Sequence, residues 1–373
     1  MKTILLLLFV AFISYTFQDK INTGIKDNAS EVPYFIDIKS NIHNLRTLKL
    51  SGLAKEIQYI PLETNSQSLL AEIDKVEFCE SYIFVSEIKK LLQFDSRGNF
   101  IRQIGSVGRG PEEYLSVTDF SIDVEKKEIY IISLNKLTIF GFNGQFKKSF
   151  KIPFGAAQVI LKDPNRIMYH LFNVPGISNM PVYSWVITNR QGEVLYQLKN
   201  SLVRKNKPGL IIKKTPLYIF DNSIRFMEFG TDTLYYFKGN QKTPYAIINL
   251  GNLKMDPDPL VTTAKKVREL STKLYINSVF EDQKNIYIGL NWGLTDSLTC
   301  IVFNKNTSET SVLKDNAFLN DLDGSHSFWP KQMTDGNILV SYQDAYDFLK
   351  YPVPSKLKGK LNVTSNPVLI ILK

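Results

Sequence analysis

The stretch Leu92-Gln93-Phe94-Asp95-Ser96-Arg97-Gly98-Asn99-Phe100 recurs as Thr138-Ile139-Phe140-Gly141-Phe142-Asn143-Gly144-Gln145-Phe146. Weaker copies stand at residues 185–193 and 234–240. In each, an apolar strand runs into a polar turn holding a glycine, and a second strand follows, which is a hairpin signal. The turn glycines Gly98, Gly144, Gly192 and Gly239 are spaced by 46, 48 and 47 residues. A fifth copy, Cys300-Ile301-Val302-Phe303-Asn304-Lys305-Asn306-Thr307, arrives about twenty residues late. An insertion around Asp256 to Lys273 accounts for the delay, and residues 259–270 within it read as the one helix of the body.

A further alternating hairpin precedes each copy, as in Glu128-Ile129-Tyr130-Ile131-Ile132 and Asn285-Ile286-Tyr287-Ile288. Each unit of about 47 residues therefore carries four short strands, and four strands per repeat of this length make a propeller blade. Inner strands are expected to begin near Ile73, Val117, Ala157, Thr215, Leu274 and Ser327. The sixth unit has three strands, the last at residues 367–372, and lacks its fourth. A spare strand at residues 55–62 precedes the first blade. Laid outside the C-terminal strand it completes blade six and closes the ring, leaving no open sheet array to aggregate. The expected fold is all-β: a six-bladed β-propeller of four-stranded antiparallel blades, closed by an N-terminal strand added to the last blade.

Composition agrees. Thirty-seven isoleucines, 24 Phe and 18 Tyr stand against ten alanines. β-branched and aromatic side chains suit a pleated surface, whereas alanine is the best helix former, so a mainly helical protein is excluded.

The first residues, Met1-Lys2-Thr3, carry one positive charge and lead into an apolar run from Ile4 to Phe17. That is the pattern of a secretory signal and is short for a bilayer span, which needs ~20 residues. The expected organisation is a signal peptide over 1–17, an N-terminal extension over 18–52 and the propeller over 53–373. Cleavage is expected within about residues 14–25, leaving an exported product with no membrane span, periplasmic or associated with the cell surface. The first cysteine is Cys79, so no lipidation cysteine follows the signal.

Cys79 and Cys300 fall in blades one and five, which are not neighbours, and two separate buried thiols are expected rather than a disulfide. Three histidines and no CxxC leave no zinc spacing. No metal and no cofactor are expected. The net charge of +9 is spread along the chain without a block of five or six like charges, and nucleic acid is not an expected partner of an exported chain.

Several segments carry a family likeness: Ile60-Pro61-Leu62-Glu63-Thr64, Gly105 to Tyr114, Thr231-Asp232-Thr233-Leu234-Tyr235, Phe328-Trp329-Pro330 and Asn366-Pro367-Val368-Leu369. As a set they resemble the six-bladed β-propeller family of exported Bacteroidetes proteins, related in architecture to TolB-like and NHL-repeat propellers, over roughly residues 53–373. Many members of that family resemble lipoproteins encoded near glycan-uptake systems. The resemblance therefore implies an envelope binding role and carries no catalytic residues across.

Blade-to-blade connections and second-to-third-strand loops share one face of such a ring. Arg109, Glu112, Glu113 and Tyr114 lie on one connection; Asn173, Asn291, Trp292, Asp344 and Tyr346 come from second-to-third-strand loops; His326 stands before blade six. Aromatic rings beside amides and carboxylates suit stacking on a sugar and hydrogen bonding to its hydroxyls. Alternatively the Gly108-Arg109-Gly110-Pro111 run simply shapes a turn and Tyr114 plugs between blades. The Gly-rich run fails as a phosphate loop, having neither a following helix nor a Lys-Ser/Thr pair.

The favoured function is a non-catalytic ligand- or protein-binding propeller of the cell envelope, monomeric, with a glycan or an envelope protein as partner. The alternative is a polysaccharide-active lyase or hydrolase at the channel mouth. In that case Arg109 holds a carboxylate and His326, oriented by Asp321 or Asp323, or Tyr114 moves a proton.

Overall fold

The computed structural model describes residues 33–161, 163–173, 180, 182–203, 214–256, 264–293 and 295–373. Six sheets, each with four antiparallel strands, form a six-bladed propeller, and in five of them the chain lays those four strands down from inner to outer. The inner strands are Lys75–Cys79, Asp119–Asp123, Ala156–Ile160, Leu217–Phe220, Leu274–Glu281 and Gln332–Met333. Five of the six begin within two residues of the expected positions. The sixth starts later than Ser327 because Phe328 is bridged to Phe318, and Pro330 has no N–H to give a ladder.

The repeat turns behave as their glycines require. Gly98, Gly144, Gly192 and Gly239 all have positive φ, between 62° and 91°, a region that only glycine enters without cost. Gly98 has a second constraint, since a Cβ there would lie 2.2 Å from the Pro61 carbonyl oxygen. In the fifth copy, which lacks glycine, Ser308 takes the left-handed conformation at φ 57°.

Closure is made by Ile57–Pro61, which pairs antiparallel with Val368–Leu372 as the outer strand of blade six. The flanking motifs lock this pairing. Asn366 is fully buried; its amide nitrogen donates to the carbonyls of Glu63 and Ser68 at 2.7 and 2.9 Å, and its oxygen accepts from Leu70 N at 2.8 Å. The Glu63 carboxylate accepts from Phe100 N in blade one at 2.7 Å. The Ile60–Thr64 and Asn366–Leu369 motifs thus form the two halves of one clasp.

The stretch expected as an N-terminal extension is packed against the ring. Tyr34–Asp37 adds a fifth, parallel strand to blade four, and Leu45–Arg46 does the same for blade five. Residues 34 to 61 therefore run along the outside of blades four, five and six in turn before blade one begins. Along the way Leu50 N and Leu319 N exchange hydrogen bonds with Leu319 O and Leu48 O at 2.9 Å, and Ser51 donates twice to Asp321.

Hydrophobic clusters fill the seams between blades, for example Leu91, Ile104, Phe120 and Phe140 between blades one and two. Two seams also contain a buried carboxylate. Glu281, fully buried, accepts from Tyr218 and Tyr245 hydroxyls, from Arg225 Nε at 3.1 Å and from Lys305 Nζ at 2.8 Å, joining blades four and five. Glu228 accepts from Ser184 and Ser201 of blade three and from Lys242 Nζ at 2.7 Å. A buried charge persists only when it is fully paired.

The expected helix is present as Ala264–Leu270, with residues 259–263 of that expectation outside the described residues, but it is not the one helix: Ile38–Asn41 and Ala345–Phe348 each form a single turn. Both cysteines are free and buried, in blades one and five. Burial pushes the Cys79 thiol up to about 11 and raises that of Cys300 as well.

Two outcomes are expected. A chain lacking residues 33–62 should lose its sharp cooperative unfolding transition, and a denaturation curve as steep as that of the full chain would refute the clasp. Both thiols should resist an aromatic disulfide reagent in the native state and react together in denaturant, since the thiolate is the nucleophile; rapid native-state labelling would show that the seams are open.

Candidate functional site

The loop face presents some of the expected residues and buries others. Arg109 and Glu112 are exposed on the connection from blade one to blade two. Glu113 is turned inward, its carboxylate accepting from Gly110 N at 2.7 Å, and a Cβ on Gly108 would fall 2.0 Å from that carboxylate. Lys136 Nζ donates to the Gly110 and Glu113 carbonyls at 2.7 Å each. Tyr114 is 1% exposed, its hydroxyl donating to Ile104 O at 2.8 Å, and burial pushes its pKa up to about 12. It plugs the seam between blades one and two. The glycine-rich motif is thus a shaped turn whose charged tips face solvent.

On the other blades the same division holds. Asn173 is buried and donates to Leu202 O at 2.6 Å. Asn291 is buried and donates to Thr295 O, while Trp292 gives its indole N–H to Thr299 Oγ1 at 3.1 Å and packs on the core. Asp344 and Tyr346 are exposed, the Tyr346 ring lying under Lys350 Nζ at 4.1 Å.

His326 is 1% exposed; its Nε2 donates to Phe348 O at 2.7 Å and its ring stacks on Phe348 at 4.1 Å. Burial lowers its pKa, partly offset by the carbonyl it serves. Asp321 is engaged with Ser51, and Asp323 with Ser325, Asn320 and Tyr59. The expected orienting carboxylates are therefore bound elsewhere. The ten residues come from four regions of the ring: one connection, the ends of blades three and five, and the blade-six loops.

A second constellation, which the sequence reading did not single out, lines the central channel. The cavity holds about 510 Å³ and is walled by inner-strand residues of all six blades. On the wall of blades six, one and two, Lys75 Nζ lies 3.2 Å from Asp119 and 3.7 Å from Glu77 and donates to Phe120 O at 2.7 Å. Asp119 also accepts from Val159 N at 2.8 Å, and Glu77 from Asp335 N at 3.1 Å. Gln332 accepts from Val76 N and donates to Asp74 O, at 2.7 and 2.8 Å. Four inner strands are thus braced to one another by side chains.

Burial alone would lower the Lys75 ammonium, but Asp119, Glu77 and Asp335 hold it above the usual lysine range. Glu77 moves the other way: burial, then the charge of Asp335, raises its carboxyl well above the usual range, against the pull of Lys75. At the rim, Lys214 donates to Thr118 O and its charge acts on Asp74. The signal for this site was the period-two run of polar residues, Lys75 and Glu77, then Asp119 and Ser121, in strands otherwise apolar.

The family model described as Domain of unknown function (DUF4934) matches residues 33–373. The chain belongs to that family. Those bounds take in the strands at 34–37 and 45–46, so the outer belt lies inside the DUF4934 unit. No curated protein matches the sequence. Among solved structures, a Bacteroides fragilis protein inferred to be exported is similar at 15% identity, with a TM-score of 0.70 over 91% of this chain and 99% of that one. A DUF4221-family member from Bacteroides vulgatus matches at 11% identity, TM-score 0.51, over 86% and 96%. Both share the fold. Among the described residues, no helix is long and apolar enough to cross a membrane.

His170 offers a check on these burials. It is 4% exposed, packs at a tilt against Trp185 with ring centroids 4.9 Å apart and donates from Nδ1 to the channel-lining Gln158 at 3.3 Å, and burial lowers its pKa to about 4. The unfolded chain then binds the extra proton between its ordinary value of about 6.5 and about 4, so stability falls as pH falls through that window. His170→Gln should remove this term, roughly 3 kcal/mol at most. Denaturation midpoints across pH 4–7 should slope less in the variant than in wild type, and parallel slopes would refute the assignment.

Proposed function

We propose that the protein is an exported, non-catalytic binding propeller of the cell envelope, which takes a small polar ligand into the central channel from the loop face. The observation that carries the reading is the channel itself. Its volume of about 510 Å³ lies within the ~300–1,000 Å³ of small-molecule sites. Its charged wall, from blade six round to blade three, is fixed by side-chain bonds between neighbouring inner strands. A ligand entering such a cavity has little protein ordering to oppose it.

Proton transfer at the rim has less support. His326 and Tyr114 are buried with their polar atoms engaged by backbone carbonyls, and Arg109 stands in solvent, on a different connection from His326. Trp292 and Asn291 are engaged inside blade five, which weakens the sugar-stacking platform behind a glycan reading. Export rests on the signal-like run Ile4 to Phe17, which lies outside the described residues.

The test is a thermal-shift screen of small polar metabolites on wild type, on Asn277→Trp and on Arg109→Ala combined with Glu112→Ala. Asn277 is exposed within the channel wall, so Trp there obstructs the cavity without entering a seam. A ligand at a hundred times its Kd adds about 2.7 kcal/mol to the native state. Hits should raise the Tm of wild type and of the rim variant and leave Asn277→Trp unmoved. Equal shifts in Asn277→Trp, or loss of shift in the rim variant alone, would overturn the channel as the site.

A further inference from the structure

The channel has two unlike walls. On one, three carboxylates, Glu77, Asp119 and Asp335, bear on the single ammonium of Lys75. Asp119 has the closer hold, at 3.2 Å, and its second oxygen is fixed by Val159 N. Glu77 is 3.7 Å from the same ammonium, 4% exposed, and receives one peptide N–H from the turn that carries Asp335. A carboxylate at that depth, beside another carboxylate and second in line for the cation, lacks the full pairing that a buried charge demands.

The facing wall, from blades four and five, mixes apolar and polar side chains, with Leu217, Ile219, Val279 and Phe280 giving it an apolar strip on the cavity. Lys214, Thr215, Tyr218, Asn277 and Ser278 are the polar residues of that wall, and two of these have polar groups open to a ligand. The hydroxyl oxygen of Thr215 is buried with no hydrogen-bond partner among the described residues. Asn277 sits in a β-bulge, where the register shifts between Ile276 and Ser278, and is exposed. A bulge leaves its extra residue out of the ladder and re-aims the side chain.

From these two walls, and on the reading of the channel as a ligand site, we infer that the ligand is a small organic cation. Its primary ammonium or guanidinium is held by Glu77 and Asp335, its short carbon chain lies along Phe280 and Ile219, and its far end is within the reach of Thr215 and Asn277. The cation is organic rather than a bare metal ion, because no group of three His, Cys, Asp or Glu side chains among the described residues is placed to hold one. Burial and Asp335 raise the Glu77 carboxyl, so arrival of a ligand cation favours its ionised form by linkage.

Calorimetric titration with 1,4-diaminobutane, with the neutral isostere 1,4-butanediol and with succinate tests the inference. The diamine should bind wild type, and the diol and the dianion should bind at least tenfold more weakly. Glu77→Gln and the exposed-turn variant Asp335→Asn should each weaken the diamine by tenfold or more, and Asn277→Trp should abolish it. The Asp335 variant guards against a folding defect in the Glu77 one, with far-ultraviolet circular dichroism reporting the fold of each. If the diol or succinate binds as well as the diamine and Asn277→Trp abolishes it, the channel remains a site but the cation inference fails. Diamine binding that survives Asn277→Trp places the cation outside the channel and sinks both readings. No heat from the diamine on wild type at millimolar concentration overturns the cation inference alone.

Discussion

The pairing of Ile57–Pro61 with Val368–Leu372 is the constraint on which the remaining structure depends. A blade has two faces to bury and can bury them only against neighbours on either side, so six blades require a closed ring. Five of the six blades here are built from consecutive strands, and blade six is completed by a strand from the other end of the chain. The clasp has backbone pairing at its centre and a single buried amide, Asn366, as its lock. Gly98 belongs to it too, since its missing side chain is what lets the Pro61 carbonyl approach blade one.

With the ring closed, the seams can carry polar groups that an open sheet could not. Glu281 and Glu228 each gather donors from two blades in the interior. Such carboxylates are weak sources of net stability, because taking them out of water costs several kcal/mol. What they contribute is register: a blade displaced along the seam strands a buried charge. The same logic runs around the channel, where Asp119 touches blade one through Lys75 and blade three through Val159.

Much of the ring was legible in the sequence, for a local reason. A hairpin turn needs positive φ, glycine supplies it, and strands alternate with period two, so Gly98, Gly144 and Gly192 mark their blades without tertiary information. Counting strands then required a donor for blade six. The belt at 34–37 and 45–46 was not legible, because a parallel fifth strand is joined by no turn and the second is only two residues long. The fate of His326 was equally hidden, since spacing cannot say whether an imidazole faces water or the carbonyl of Phe348. Glu77 and Asp335 meet across 258 residues of chain, a separation that no local pattern spans.

The order of the belt has a mechanical consequence. Travelling from residue 34, the chain is held first by blade four, next by blade five, and only then by the clasp on blade six. A pull applied at the N-terminal end would meet the parallel strand at 34–37 before any other part of the ring. Parallel pairing loaded along its length must break its hydrogen bonds together rather than one by one. Tension entering the chain at residue 34 would thus fall on the pairings with blades four and five before it reached the closure at blade six.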